Sequence, residues 1–347
     1  MWVQHASTET NQCSRYPMLI CVCSVMVLTM IAVVALRAYD RAHRARRFRL
    51  DDWTTFTSAA TTVIYAVLAV YQTRLGLGLP LELRPTEDLH KFTLLNYAGR
   101  PIYVAALMTF KIGVCLGALR MLDRSNGKAI QQTVIRTAIL IIVLSHVAIA
   151  LALMLYCRPV RKAWNPHIKG KCLSVGPLFY GTAAATILCD LIAFSMPVSA
   201  LLAIKNLDPK VTPRSTVDSK KTLRLTVSLF FGFFTTICSV VRTIQIREVV
   251  ETGNSTMLIL WGVIEACVGV ITSSIPTLNA MFSGLWKSGT SAARKCHSTD
   301  RYCELPGTGS RPDDSVNLIG ITRETDIVMR SEVVKDGFQE SSTRHGW

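Results

Sequence analysis

The sequence predicts an all-α polytopic membrane protein, a bundle of seven transmembrane helices with the N-terminus outside and the C-terminus in the cytosol. Half of the residues are hydrophobic, only 18% are charged and the mean hydropathy is +0.33, which is unusual for a soluble globular chain. Seven apolar segments are each long enough to cross ~30 Å of hydrocarbon as a helix. Lysine and arginine also concentrate in alternate connections between these segments, which sets the orientation.

The seven spans define the domain organisation. They cover residues 18–38, 53–75, 97–122, 133–157, 176–204, 224–246 and 257–283. Lipid leaves no water for backbone amides, so segments of this length are expected to be α-helices. The first apolar run is longer than a signal-peptide core and its basic residues follow it, so we interpret it as an uncleaved helix. We therefore expect a short extracellular N-terminus (1–17), a membrane domain (18–284) and a flexible cytosolic tail (285–347).

The connection before the second span marks a membrane boundary. Residues 41–49 contain five arginines, which favour the cytosolic side. Asp51 and Asp52 follow where the second helix begins, and free backbone amides and the helix dipole favour carboxylates there. Trp53 is typical of an interfacial anchor. A catalytic role for the two aspartates is the alternative interpretation, but nothing else reactive lies nearby in the sequence.

One connection opposes the charge bias. The segment between the fourth and fifth spans carries five basic residues, which would prefer the cytosol, yet Cys157 and Cys172 flank it. These cysteines could form a disulfide only on the oxidising side, and two unpaired thiols are the competing interpretation. The sequon at Asn254 also falls outside in the N-out topology and predicts a glycoprotein, although such triplets also arise by chance.

Four ionisable residues lie inside the predicted spans. Lys111 and Asp190 are near the middle of the third and fifth spans, and Arg242 and Glu265 are in the outer parts of the sixth and seventh. A charge left in hydrocarbon costs at least ~2.5–3.5 kcal/mol, so we expect two ion pairs, Lys111 with Asp190 and Arg242 with Glu265. A structural clamp and a role in a ligand or ion pathway remain equally open. His146 in the fourth span has no obvious partner and is expected to be a packing residue.

No motif indicates an enzyme. The seven histidines show no metal-ligand spacing, and the chain has no nucleotide-binding glycine loop and no Gly-x-Ser-x-Gly elbow. We therefore predict no catalytic residues and no metal. The net charge of +15 is explained by basic residues at the helix ends, so no nucleic-acid partner is expected.

Several spaced motifs resemble the fungal rhodopsin-like family. They are RRFRLDDW, CRPVRKAWNPHIKGKCL, CDLIAFSMPVSALLAIKNL, KKTLRLTVSLFFGFFTTICSVVRTIQI and LWGVIEACVGVITSSIPTL. The resemblance covers residues 18–285 and implies a fungal seven-helix membrane protein. Many members are orphan receptor-like, and some are encoded beside secondary-metabolite clusters such as that for satratoxin. The chain departs from the family at GLGLPLELR, where Leu79 and Pro80 replace the expected histidine of a Gly-x-Gly-x-His element.

The word rhodopsin does not imply a chromophore. Retinal requires a Schiff-base lysine in the last helix, and residues 261–282 contain none; Lys111 is the only mid-membrane lysine. We therefore predict no retinal and no other cofactor.

Three classes of function remain open. The first is an orphan receptor-like sensor. Its partners would be the lipid bilayer, a small-molecule ligand of unknown identity and a cytosolic signalling protein. The second is a small-molecule transporter, which the buried charges suggest. The third is a membrane accessory protein of a secondary-metabolite (mycotoxin) biosynthetic cluster. The plasma membrane is the expected location, with an internal membrane as the alternative.

Overall fold

The computed structural model describes residues 2–5, 7–12, 14–45, 48–84, 86–123, 129–165, 167–207 and 216–275. Side chains are described for most of these residues, but not for 201–207 or 216–229. The predicted tail, residues 285–347, and the end of the seventh predicted span lie outside the described residues.

The described chain is built almost entirely from helices. After the short helix α1 (Thr8–Gln12), the seven long helices are α2 (Tyr16–Asp40), α3 (Leu50–Arg74), α4 (Thr86–Asp123), α5 (Ala129–Met154), α6 (Val175–Leu207), α7 (Thr216–Thr252) and α8 (Thr256–Ile275). A π-helical turn, Arg41–Ala45, continues α2. Each long helix contains one predicted span or most of it, so the prediction of an all-α polytopic membrane protein is confirmed.

Six described helices are long and apolar enough to cross a membrane, namely all of the long helices except α7. The sequence of α7 has an uncharged segment over residues 225–241, and its described side chains begin at residue 230. Large apolar side chains also point away from the protein on several helices, for example Leu28, Leu144 and Phe233. Such exposure is expected where a helix faces lipid.

The packing places α4 and α8 at the centre of the bundle. Helix α4 contacts α3, α5 and α6, and α6 also contacts α7. In α8, 78% of the most apolar window is buried, compared with 17% in the first span. Phe110 of α4 packs in the main apolar core together with Val263 and Cys267 of α8. A Cβ atom at Gly269 would lie only 2.7 Å from the ring of Phe110, so the two helices depend on a glycine for their close approach.

The two ends of the bundle differ in chemistry, and we name them by their contents. The disulfide end holds the N-terminal segment and a small antiparallel hairpin of β1 (Cys157–Arg158) and β2 (Lys171–Cys172). The disulfide between Cys157 and Cys172 closes this hairpin. The opposite end holds the buried arginines of α2 and the π-helical turn, and we call it the arginine end.

The N-terminal segment lies across the ends of α3 and α4. The indole N–H of Trp2 donates a hydrogen bond of 2.9 Å to the hydroxyl of Thr73, and Nδ1 of His5 lies 2.9 Å from a carboxylate oxygen of Asp88. Val3 is only 1% exposed. The segment that the sequence predicted only as a short N-terminus therefore covers the disulfide end.

A buried loop follows α3 beneath this segment. Leu77 and Leu79 are fully buried, while Gly76 and Gly78 have φ of +101° and +105°, a region that favours glycine. The N–H of Gly78 donates to the hydroxyl of Thr256 over 3.1 Å, which ties the loop to the start of α8. Leu79, which stands where the family resemblance led us to expect histidine, is part of the apolar filling of this end.

Candidate functional site

A buried lysine on α4 is the first component of the site. Nζ of Lys111 lies 3.1 Å from Oδ1 of Asp190 on α6 and 3.4 Å from Nε2 of His146 on α5, and it donates to the carbonyl of Thr186 over 3.2 Å. Lys111 is 0% exposed. Because Nδ1–H of His146 donates to the carbonyl of Ile142, its Nε2 is free to accept from the lysine. The structure thus brings Lys111 and Asp190 together, and it gives His146 the partner that the sequence did not suggest.

The second predicted pair lies nearer the disulfide end. Nε of Arg242 on α7 is 3.0 Å from a carboxylate oxygen of Glu265 on α8. The hydroxyl of Tyr103 on α4 donates to the same oxygen over 2.6 Å, and Cζ of Arg242 lies 4.8 Å from the centre of the Tyr103 ring. Hydrogen bonding and charge therefore hold α4, α7 and α8 at one point.

Ser239 on α7 joins the two pairs. Its Oγ lies 3.0 Å from Oδ2 of Asp190 and 2.5 Å from Oε1 of Glu265. A hydroxyl carries one proton, so Ser239 donates to one carboxyl group at a time, while each carboxyl keeps its own cation. We call the connected residues the polar chain: His146, Lys111, Asp190, Ser239, Glu265, Arg242 and Tyr103. It links five helices, α4 to α8, and a relative movement of these helices would break charge-assisted bonds in a low-dielectric interior.

A cavity of about 90 Å³ lies beside the polar chain in the half of the bundle nearer the disulfide end. One water molecule needs about 10–15 Å³ of such open space, so the cavity is large enough for several. Residues of the six helices α3 to α8 line the cavity. Its wall includes Tyr103, Thr186 and Arg242, which also contact or belong to the polar chain. A small molecule in the cavity would therefore touch the polar chain directly.

The predicted helix-start residues lie at the arginine end, in a buried charge cluster. Arg37 of α2 donates from Nε to Asp52 over 2.9 Å, and its Nη2 lies 3.1 Å from Asp51. Arg41 lies 3.0 Å from Asp52, and Arg120 of α4 lies 3.0 Å from Asp51. We call these five residues the arginine cluster. The aspartates thus serve as partners of buried arginines as well as helix-start residues.

Local capping and longer-range contacts coexist in this cluster. Oδ2 of Asp52 accepts a hydrogen bond of 3.2 Å from the backbone N–H of Arg49, as expected at a helix start. Arg37 also donates to the carbonyl of Ser273 over 2.7 Å, which ties α2 to α8. Trp53 is 61% exposed on the outside of α3, where an interfacial anchor would stand.

Asn254 lies in the short connection between α7 and α8. Its Oδ1 accepts from the N–H of Thr256 and from Arg84, each over 3.2 Å, and its Nδ2 donates to Glu248 over 3.2 Å. Burial lowers the pKa of Arg84 to about 10, which leaves this arginine charged at neutral pH. Glycosylation at Asn254 stays a prediction; a glycan would replace one of the two N–H groups of Nδ2 and leave the other able to donate to Glu248.

Neither a metal site nor a Schiff-base lysine is found in the described part of the chain. No three His, Cys, Asp or Glu side chains among the described residues are grouped to hold a metal ion. Helix α8 has no lysine between Thr256 and Ile275, and Lys111 already contacts Asp190 and His146. The residues present therefore do not fit a retinal linkage in the last helix.

Seven long helices around a buried polar chain define a rhodopsin-like membrane protein. The comparison with protein families makes this assignment specific, because the profile described as the fungal rhodopsin domain matches residues 36–284. The chain belongs to this family. Neither the curated proteins nor the solved structures give a significant match.

Proposed function

We propose that the protein is an orphan receptor-like sensor that binds a small molecule in the cavity near the disulfide end, without retinal. The observation that carries this proposal is the shared wall of cavity and polar chain, formed by Tyr103, Thr186 and Arg242. A ligand that contacts Tyr103 or Arg242 competes with the bonds of these residues to Glu265. Because the polar chain links α4 to α8, such competition acts on the arrangement of five helices.

Signalling requires that the ligand bind two arrangements of the helices with different affinity. The polar chain is suited to this role. In a close-packed, low-dielectric interior each of its charge-assisted bonds is either made or broken, so the helices that it links have few intermediate arrangements. Loss of the Ser239 bridge would separate the Lys111–Asp190 pair from the Arg242–Glu265 pair. We infer that the bridge stabilises one helix arrangement, and that the ligand alters its occupancy.

The proposal includes an orientation with the disulfide end outside and the arginine end in the cytosol. The N-terminal segment, the Cys157–Cys172 disulfide and Asn254 all lie at one end, and the buried Arg37 and Arg41 lie at the other. Disulfides and glycans belong to the non-cytosolic side, whereas arginine-rich connections favour the cytosol. At the plasma membrane, the cavity would then receive its ligand from outside the cell.

The test is nucleotide exchange on a heterotrimeric G protein by the full-length chain in nanodiscs. We expect exchange above the level of empty nanodiscs, and a changed level in Ser239→Ala. Ser195→Ala is the matched control, because Ser195 is exposed on α6 and its hydroxyl donates to the carbonyl of Ile192 in the same helix.

The alternatives give different results. Solute flux across vesicles containing the protein, without nucleotide exchange, would replace the sensor by a small-molecule transporter. A change of secondary metabolites on gene deletion, with neither exchange nor flux, would identify a membrane accessory protein of a biosynthetic cluster.

A further inference from the structure

Arg100 of α4 lines the cavity, and its hydrogen-bond donors have no acceptor among the described residues. Its Cζ lies 5.0 Å from the ring centre of Phe179 and 5.3 Å from that of Tyr156. These cation–π contacts position the guanidinium group but do not satisfy its five N–H donors. Within the described parts of the chain, Arg100 donates no hydrogen bond and no carboxylate lies at ion-pair distance. The group is therefore held in place with its donors available to a bound molecule.

Gln72 of α3 supplies a second unsatisfied group in the same cavity. Its side chain is almost fully buried, with 3% of the residue exposed, and it lines the cavity. Its Oε1 is buried and accepts no hydrogen bond from any described residue. A buried amide oxygen without a partner costs free energy, so a hydrogen-bond donor on a ligand would offset that cost.

Among the described residues, the charged side chains that line the cavity are positive. Arg100 and Arg242 both line the cavity, whereas no aspartate or glutamate of the described segments does. Arg242 is paired with Glu265, so Arg100 is the lining cation without a carboxylate partner among the described residues. Much of the remaining wall is apolar, with Ile149, Leu153 and Phe179 among its residues. A positive group in an apolar wall favours an amphipathic organic anion.

We propose that the cavity binds a small organic carboxylate, with the carboxylate on Arg100 and a hydroxyl or N–H group of the same molecule donating to Oε1 of Gln72. Planar guanidinium matches a carboxylate with two parallel hydrogen bonds. This inference rests on the cavity of the proposed function and names its ligand class. The anion is either a soluble carboxylate or a lipid headgroup, since both present the same chemistry to Arg100.

The test compares carboxylates with their isosteric neutral amides. The probes are 6-hydroxyhexanoate with 6-hydroxyhexanamide and 3-(4-hydroxyphenyl)propionate with 3-(4-hydroxyphenyl)propanamide, added to the full-length chain in phosphatidylcholine nanodiscs; the hydroxyl group of each supplies a donor for Oε1 of Gln72. Binding is measured by saturation-transfer NMR at fixed salt, with empty nanodiscs subtracted. A charge-assisted hydrogen bond predicts that the carboxylate of at least one pair binds about 10- to 100-fold more tightly than its amide.

Three variants test whether the preference for carboxylate over amide arises at Arg100. Arg100→Gln should abolish the preference, and Gln72→Leu should weaken binding while the preference remains. Lys91→Gln is the matched control, because it removes one positive charge from an exposed position on the same helix and should leave the preference unchanged. Weaker carboxylate binding in nanodiscs that contain phosphatidylserine would identify a lipid headgroup as a competing anion at Arg100.

Two results would overturn the inference: equal binding of carboxylate and amide in both pairs, or a preference that survives Arg100→Gln. Neither result depends on G-protein exchange. Carboxylate-selective binding without nucleotide exchange would support the carboxylate site and contradict the proposed sensor function. Nucleotide exchange without carboxylate selectivity would support the sensor function and contradict the carboxylate site.

Discussion

Each buried cation of the polar chain has a carboxylate beside it, and Ser239 lies between the two carboxyl groups. The balance of two cations and two carboxyl groups explains how so many ionisable side chains are accommodated in the interior. Removing one member leaves its partner charged and buried, which is the costly change.

The pair of Lys111 and Asp190 tests this balance. Lys111→Met or Asp190→Asn alone should lower stability by about 3–5 kcal/mol, because each strands the opposite charge. The double variant should recover much of the loss, since no unpaired charge remains. Thermal unfolding in detergent measures the effect, with Lys91→Met as a control at an exposed position. Additive losses in the double variant would contradict the pairing.

His5 gives a pH dependence at the disulfide end. Its hydrogen bond to Asp88 raises the pKa of His5 above the usual 6.5, helped by the charges of Asp88 and Glu87. A raised folded-state pKa means that the stabilisation is complete below about 6.5 and is lost as the pH rises through the raised value. Hydrogen exchange of residues 2–12, corrected for its intrinsic pH dependence, should therefore show more protection at acidic pH.

The control for that experiment is His5→Gln, which keeps a polar side chain without a titratable ring. Its N-terminal segment should show no gain of protection on acidification. A gain equal to that of the unmodified chain would assign the pH dependence to another group.

Sequence reasoning found the charges of the site but not its hydroxyl groups. Lys111, Asp190, Arg242 and Glu265 are recognisable because a charge in hydrocarbon is expensive. Ser239 gives no such signal, since a serine hydroxyl inside a helix can bond its own backbone, and Ser239 also lies 3.1 Å from the carbonyl of Thr235.

Among the elements, helix α4 illustrates what a hydropathy scan measures. The predicted span began at residue 97, but the helix begins at Thr86. The additional residues include Glu87, Asp88 and Lys91, which are polar enough to end an apolar run and yet form a regular helix. Hydropathy predicts the part of a helix that meets lipid, and not the extension that carries the contact with His5.

The contact of α4 with α8 gives a prediction at this scale. Gly269→Ala would place a methyl group 2.7 Å from the Phe110 ring, and overpacking of this kind typically costs about 1–3 kcal/mol. Thermal unfolding should show the loss, and Phe110→Leu should reduce it in the double variant. Gly117→Ala is the control, because no atom lies within 4 Å of its added Cβ. Equal effects of the two alanines would contradict the close helix contact.

For the whole molecule, the orientation remains a prediction that a reporter can test. A reporter after Trp347 should be cytosolic and one before Met18 should be exposed, because the arginine-rich connection after α2 favours the cytosol. Non-reducing peptide mapping of the same sample should recover Cys157 joined to Cys172. A tail found outside the cell would reverse the assignment of every connection.

The sequence was sufficient for the number of long helices and for the family, because both depend on patterns within short segments. It could not predict which helices surround the cavity, since Gln72, Arg100 and Phe179 come from three different helices and meet only in the folded bundle. The arginine cluster was missed for a similar reason. Asp51 and Asp52 look like local caps, whereas Arg37 and Arg120 approach them from other helices.

The polar chain also constrains the order in which the protein is made. Lys111 leaves the ribosome roughly 80 residues before Asp190, a delay of several seconds at typical rates of synthesis. Until α6 emerges, α4 carries a charge for which the bilayer offers no carboxylate. During this interval the charge of Lys111 costs free energy in the bilayer that the later contact with Asp190 offsets. A chain that ends before α6 lacks Asp190 and is therefore expected to be less stable in the membrane than the full-length chain.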